Sequence, residues 1–176
     1  MRLLIVSDSH GDYKSIMAVL RLLGRSVQGL VHLGDGSGDV RDAFRTGVPV
    51  IPYWGVKGNV DSDSKVPLFR QIEAGGKKIL LAHGHRYPLG QDLYSLVRIA
   101  KEAKANAFFY GHTHIPHYEE RSGIVLMNPG SISRPRGPWG PSFAIIEASP
   151  LSSYLDVKIY ELFIRQQKAS LRAIHL

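Results

Sequence analysis

The chain has 176 residues, of which 44% are hydrophobic and 21% charged, a composition typical of globular proteins. No apolar run approaches the roughly 20 residues of a membrane-spanning helix, and residues 7–10 interrupt the first run before a signal peptide's apolar region is complete. The absence of cysteine excludes disulfides and thiolate metal sites. We expect a single domain over residues 1–176, with no membrane partner and a cytoplasmic location.

The formal net charge of +7 and the pI near 9.7 favour anionic partners. Nucleotides, nucleic acid and phosphorylated small molecules all fit this charge. The basic residues are scattered along the chain, so a solvated basic surface explains the charge equally well.

The N-terminal half alternates strands with helices. Short apolar runs predict strands at 2–6, 29–33 and 48–56, and helices are expected at 13–23 and 39–45. Asp12 and Asp39 are the expected N-caps of the two helices, and Gly24 ends the pattern of the first. Prolines interrupt the third strand.

The C-terminal half begins and ends with antiparallel strands, so the sheet is expected to be mixed. Gly75-Gly76 joins strands 68–73 and 77–82 in a tight hairpin, because glycine takes positive φ without steric cost. The remaining elements are a helix capped by Asp92, a strand at 107–110, a hairpin of 118–121 with 124–128, a loop at 129–141 and strands at 142–148, 154–163 and 169–175.

Polar residues that can bind metal directly follow five of the apolar runs. They are Asp8, His10, Asp35, Asn59, His83, His112 and His114. The loops beyond the carboxyl ends of strands in an open α/β sheet converge on one crevice, so a shared site explains all seven together. Oxygen and nitrogen donors suit Mn²⁺, Fe, Co²⁺, Ni²⁺ or Zn²⁺, and seven ligands are too many for one tetrahedral ion.

Two divalent cations are therefore expected. Their charge exceeds that of two carboxylates and a bridging hydroxide by one positive unit, which favours a phosphate ester as substrate. A water shared by the ions becomes hydroxide near neutral pH and attacks phosphorus in line, so no catalytic residue beyond the metal ligands is needed.

The ordered motifs resemble those of the calcineurin-like metallophosphoesterases. They are Asp8-x-His10, Gly34-Asp35, Gly58-Asn59-x-Asp61, His83-Gly84-His85 and Gly111-His112-x-His114, followed by Asn128-Pro129-Gly130-Ser131. In length and in Ser133-Arg134-Pro135-Arg136 the chain is similar to the small prokaryotic phosphodiesterase branch, whose relatives include the retromer scaffold subunit.

The resemblance implies an α/β fold, a four-layer α/β/β/α sandwich with mixed sheets. It also implies a division of the ligands between the ions: Asp8, His10 and His114 on one, Asn59, His83 and His112 on the other, and Asp35 as the bridge. Manganese is the first expectation for the metal, with Ni, Co, Fe or Zn as alternatives.

Asn59, His85 and Arg134 are the candidates for substrate contact. Asn59 is a neutral ligand that does not repel phosphate. For His85 the alternative to substrate contact is a structural role. For Arg134 the alternative is that its side chain is simply solvated in a flexible loop. We interpret His32 as a core histidine or a support for a ligand, and we assign no role to His117 or His175.

The expected function is hydrolysis of small phosphodiesters or nucleotides. A non-catalytic scaffold on the same fold is the first alternative, but all seven ligands are present. A nuclease is the second, although 176 residues leave little room for an added nucleic-acid-binding domain. Many relatives carry histidine where this chain has Val60, and that histidine is thought to protonate the leaving oxygen.

Overall fold

The computed structural model describes residues 1–89, 93–166 and 168–176. Its elements are β1 (Arg2–Val6), α1 (Tyr13–Leu23), β2 (Gly29–His32), α2 (Asp39–Phe44), β3 (Tyr53–Gly55), β4 (Phe69–Ala74), β5 (Lys77–Ala82), α3 (Tyr94–Glu102), β6 (Ala107–Phe109), β7 (Pro116–Arg121), β8 (Ile124–Pro129), β9 (Ser142–Glu147), β10 (Asp156–Arg165) and β11 (Lys168–Ile174). No helix in these ranges is long and apolar enough to cross a bilayer.

The strands form two mixed sheets. The first has the order β11-β10-β9-β1-β2-β3, in which β1, β2 and β3 are parallel and the other three are antiparallel. The second has the order β4-β5-β6-β8-β7, in which β5, β6 and β8 are parallel and both edge strands are antiparallel. The predicted mixed α/β class is confirmed.

The alternation of side chains along the strands builds the layers. Leu3 and Ile5 of β1 pack into the core between the sheets, whereas Leu4 and Val6 pack on the opposite face with α1 and α2. A third cluster joins the outer face of the second sheet to α3. The order of layers is therefore helices, sheet, sheet, helix, as the resemblance implied.

Three local predictions need correction or fall outside the described residues. Asp39 is not an N-cap: it is the first residue of α2, and its Oδ2 accepts hydrogen bonds from Ser9 Oγ (2.6 Å) and Gly11 N (2.8 Å). The third strand covers only Tyr53–Gly55, because prolines precede it and cannot donate to a ladder. The predicted cap Asp92 lies outside the described ranges.

The parallel strands of both sheets end at the same edge of the sandwich. The loops after β1, β2 and β3 carry Asp8, His10, Asp35 and Asn59, and the loops after β5 and β6 carry His83, His112 and His114. The two sheets therefore each supply part of one site.

Candidate metal centre

Six of the seven predicted ligands fall into two compact groups. The group from Asp8, His10 and His114 offers one ligand atom per residue, and these atoms lie within 4.8 Å of one another. Asp35, His83 and His112 form a second group with the same spacing. The two groups pair the histidines as the resemblance implied, while the assignment of each residue to an ion stays a prediction.

Asp35 faces both groups. Its Oδ2 lies 3.3 Å from His83 Nε2 and 3.9 Å from His10 Nε2, while its Oδ1 accepts a hydrogen bond from Val60 N (3.0 Å). The seventh ligand, Asn59, lies with its Oδ1 3.2 Å from His83 Nε2. The arrangement places a carboxylate between the groups and an amide oxygen beside the second.

Backbone conformation at the site is unusual. Five of the seven predicted ligands have positive φ, a conformation in which non-glycine residues are uncommon: Asp8 (55°), His10 (46°), Asp35 (56°), His112 (70°) and His114 (62°). Such strain costs of order 1–3 kcal/mol per residue and persists only where neighbouring structure holds it. The fold therefore constrains the directions of these side chains strongly.

Glycines next to the ligands permit close approach of the loops. A Cβ at Gly58 would collide with the carboxylate and backbone nitrogen of Asp35, and one at Gly111 would collide with Ser7 Oγ. This explains why glycine precedes Asn59 and His112 in the motifs.

The hydrogen bonds made by the Nδ1 atoms of His83 and His114 leave the Nε2 atoms of both rings facing other acceptors. His83 Nδ1 lies 2.8 Å from Leu33 O and His114 Nδ1 lies 2.6 Å from Arg134 O, so each Nδ1 donates to a carbonyl. In the neutral rings the Nε2 atoms are then acceptors, yet His114 Nε2 lies 3.2 Å from Asp8 Oδ1.

This crowding of acceptors fits a cation. Asp8 Oδ1 is fully buried and has no hydrogen-bond partner among the described residues. His10 Nε2 and His114 Nε2 are 3.2 Å apart. Lone pairs at such distances repel unless a proton or a metal ion lies between them, and unpaired buried oxygen is costly, so the donor set suits divalent cations.

The pKa values show where protons bind when no cation is present. A protonated His114 ring can donate to Asp8, and this hydrogen bond raises the pKa of His114. Burial lowers the pKa of His83, but Asp35 and Asp8 outweigh burial and raise it overall. Burial lowers the pKa values of His10 and His112. For Asp35, burial opposes ionisation, but hydrogen bonds from His83 and Val60 lower its pKa to about 2.

Asp61 joins the two loops that carry Asp35 and Asn59. Its carboxylate accepts four backbone hydrogen bonds of 2.8–2.9 Å, from the N–H groups of Asp35, Gly36, Ser37 and Gly58. Burial alone would raise the pKa of Asp61, but these donors outweigh it and lower the pKa. The sequence marked Asp61 only as part of a motif, because such long-range contacts leave no local signal.

His32 supports the loop after β1 from below. It is fully buried, its Nδ1 accepts from Gly34 N (3.1 Å), and its Nε2 lies 2.9 Å from Ser9 Oγ, which donates to Asp39. Burial lowers the pKa of His32 to about 4, so the ring is neutral. Of the two interpretations of His32, the core histidine is confirmed.

The segment 128–136 braces the ligand loops, a role that the sequence did not reveal. Ser131 Oγ and Ser133 Oγ donate to Asp8 O (2.8 and 3.0 Å), and Asn128 Nδ2 donates to Gly111 O (2.8 Å). The backbone of the same segment accepts from His114. The polar residues in the last part of β8 and directly after it were the available signal.

The candidates for substrate contact lie at different depths. A cavity of about 460 Å³ covers the two groups and is lined by His10, Asp35, Asn59, Val60, His112, His114, Arg134, Pro135 and Arg136. Asn59 and Arg134 are thus at the cavity. His85 is half-buried beside His83, with ring centroids 5.5 Å apart, and it is not among the lining residues.

Comparisons with known proteins point to one superfamily of phosphoesterases. The family model of the calcineurin-like phosphoesterase superfamily domain matches residues 1–150. Among curated proteins, the "Probable metallophosphoesterase YsnB" of Bacillus subtilis is 36% identical over 83% of each chain. "Phosphodiesterase YfcE" of Escherichia coli is 29% identical over 86% of this chain and 90% of its own.

Solved structures agree. A predicted phosphoesterase of Streptococcus pneumoniae superposes with a TM-score of 0.77 at 26% identity, covering 98% of this chain and 97% of its own. Vps29 of Entamoeba histolytica, in complex with zinc, has a TM-score of 0.71 at 22% identity and covers 99% of this chain and 98% of its own. The second likeness concerns the fold alone.

Proposed function

The chain belongs to the calcineurin-like phosphoesterase superfamily, and from that premise we propose that it is a metal-dependent phosphodiesterase acting on small phosphodiesters or nucleotides. The fold implies divalent metal ions, and relatives carry metallophosphoesterase and phosphodiesterase names. The observation that carries the proposal is the pair of donor groups beneath one cavity, with Asp35 Oδ2 3.3 Å from His83 Nε2 of one group and 3.9 Å from His10 Nε2 of the other.

Each ligand has a proposed place. Asp8, His10 and His114 would hold one ion, Asn59, His83 and His112 would hold the other, and Asp35 would be a ligand of both. When bound, two such ions supply Lewis acidity and lower the pKa of water enough for attack on phosphorus at neutral pH. Manganese is our first choice, with nickel, cobalt, iron or zinc as alternatives, since the donors are oxygen and nitrogen.

Groups of the protein around the metal centre orient the ligand side chains and supply contacts to the substrate. The carbonyls of Leu33 and Arg134 fix the rings of His83 and His114, so that each Nε2 faces inward. Asn59 is exposed and neutral, so it can donate its amide to a phosphoryl oxygen without repelling it. Arg134 at the cavity rim supplies positive charge to the substrate.

A scaffold without catalysis is the second candidate, because the fold is shared with Vps29. A scaffold has no need of strained backbone at these positions, yet this chain keeps five predicted ligands at positive φ and an unpaired buried oxygen on Asp8. We therefore favour the enzyme, and we propose a cytoplasmic location for it.

A panel of phosphate esters tests the proposal. Bis(4-nitrophenyl) phosphate, 4-nitrophenyl phosphate, a dinucleotide and a long single-stranded oligonucleotide are assayed with Mn²⁺, Ni²⁺, Co²⁺ and Zn²⁺. We expect metal-dependent hydrolysis of the diesters, with the monoester and the oligonucleotide poorer. Preference for the oligonucleotide would indicate a nuclease, and no hydrolysis with any metal would leave the scaffold.

A further inference from the structure

A second cleft meets the metal cavity at Val60. It has a volume of about 530 Å³, which is within the range of small-ligand sites. Val60 lines both cavities and is 60% exposed, so little separates them. A diester whose phosphorus lies over Asp35 and Asn59 therefore has space for one of its arms in this cleft.

Three cationic side chains from three segments line the cleft. Arg41 comes from α2, Lys65 from the loop after β3, and Arg70 from β4. Arg41 and Lys65 are exposed, and Arg70 Nε donates to Gly55 O (3.2 Å), leaving its terminal nitrogens to other partners. Within the described ranges, no carboxylate forms an ion pair with any of the three.

The carboxylates of the cleft already have donors. Asp39 accepts from Ser9 Oγ and Gly11 N, and Asp61 accepts from four backbone N–H groups. Asp63 is exposed and accepts from Lys65 N (2.9 Å). These hydrogen bonds stabilise the ionised carboxylates without using the cationic side chains, so Arg41, Lys65 and Arg70 stay available to an anionic ligand.

We propose that this cleft is a subsite for a phosphate group carried on one ester arm of the substrate. Arginine offers paired donors that match phosphate oxygens, and lysine adds a mobile point charge. The substrate class is then a phosphodiester with a second phosphate on one arm, as in a phosphorylated nucleotide unit. The inference rests on the proposed phosphodiesterase function, because it takes the scissile phosphorus to lie at the metal centre.

Equilibrium binding tests the subsite without turnover. The probes are thymidine 3′,5′-bisphosphate and thymidine 3′-monophosphate, which differ only in the second phosphate, titrated into the manganese-loaded protein by calorimetry. We expect the bisphosphate to bind about tenfold tighter, since charge-assisted hydrogen bonds supply a gain of that order. The double variant Arg41→Gln/Lys65→Gln should bring this ratio close to one.

A matched control separates the subsite from general charge. Arg25→Gln/Lys101→Gln removes the same charges from exposed positions that do not line the cleft, and it should keep the wild-type ratio and activity. Equal loss in both double variants would overturn the subsite, as would a wild-type ratio near one. Because all four residues are exposed, the melting temperatures should stay unchanged.

Turnover then distinguishes the two proposals. Thymidine 3′-(4-nitrophenyl phosphate), with and without a 5′-phosphate, releases the same nitrophenolate. Hydrolysis of both esters together with a binding ratio near one would contradict the subsite and support the proposed phosphodiesterase function. A binding ratio that depends on Arg41 and Lys65 supports the subsite even if neither ester is hydrolysed, in which case the proposed function fails alone.

Discussion

Asp35 is the proposed bridge between the two ions, because its Oδ2 faces an imidazole of each donor group. We predict that Asp35→Ala lowers metal content from near two ions per chain to below one and reduces activity at least about 100-fold. A lost ligand should cost no less than the 10–100-fold typical of lost supporting contacts.

Elemental analysis after reconstitution and the diester assay measure this effect. Asp42→Ala is the control, since Asp42 is on α2 and pairs with exposed Arg45. Full metal content with full turnover in Asp35→Ala would show that Asp35 is not the bridge.

Val60 occupies the position at which the family resemblance implies a proton-donating histidine. Its backbone N–H is fixed by Asp35 Oδ1, and its side chain is exposed at the cavity. Since valine cannot protonate a leaving oxygen, we predict that log(kcat/KM) falls steeply as the leaving-group pKa rises. A general acid typically contributes 10²–10⁴-fold, so Val60→His should raise rates selectively for alkyl leaving groups and flatten the slope.

A series of aryl and alkyl phosphodiesters measures the slope, with Val60→Phe as a bulky control that carries no proton. A flat wild-type slope with rate-limiting chemistry would indicate another donor, for which His85 beside His83 is the nearest unused imidazole.

The buried imidazole of His32 makes the free energy of unfolding depend on pH in acid. Its folded pKa of about 4 is below the ordinary value of 6.5, so the unfolded chain takes up the proton first as pH falls. The contribution of His32 to the free energy of unfolding is therefore fully present above about pH 6.5. It is lost as the pH falls to about 4, and it amounts to roughly 3 kcal/mol for a shift of this size. Urea unfolding of metal-free wild type and His32→Gln should show that only the wild type has this contribution; parallel curves would contradict it.

At the scale of loops and strands, Asp61 holds the ends of β2 and β3 in one arrangement. In Asp61→Asn the amide nitrogen cannot accept, so two of the four backbone donors lose their partner. We predict destabilisation of about 1–3 kcal/mol and metal affinity reduced about 10–100-fold. Thermal unfolding and metal titration measure these effects, with exposed Asp63→Asn as the control; unchanged metal affinity would mean that the loops are held by other contacts.

The sequence predicted elements whose signals are local. The hairpin at Gly75-Gly76 has both glycines at positive φ, and Asp12 caps α1 through Ser15 N, as expected. Asp39 was predicted to be an N-cap because it precedes a helical pattern. In the structure its carboxylate instead accepts a hydrogen bond from Ser9, which lies 30 residues away. Local patterns do not contain such contacts.

As with the strands and helices, only those parts of the metal site that have a local signal could be predicted from the sequence. Apolar runs ended by polar residues led to the seven candidates, because parallel strands end at one edge. Their division between two groups came only through resemblance, since spacing along the chain does not say that His83 lies beside Asp35 and His114 beside Asp8. The supports given by Asp61 and Ser131 were missed for the same reason.

For the molecule as a whole, metal and protons compete for one set of histidines. Because the pKa values of His83 and His114 are raised in the metal-free protein, protons bind them before they bind an ordinary histidine. We predict that activity is lost below about pH 6, and that each tenfold rise in Mn²⁺ lowers the midpoint by about half to one pH unit. pH profiles at several Mn²⁺ concentrations measure this; a midpoint independent of metal would assign the loss to another group.

The supply of ligands from both sheets gives a bound ion a further role, that of a cross-link. Asp8 and His112 are 104 residues apart along a chain that has no cysteine, and one centre would tie their loops together. A covalent bridge closing about 100 residues restricts the unfolded chain by roughly 4.7 kcal/mol in entropy-based models. A cation held between the sheets would act in the same sense, as a reversible substitute for a disulfide.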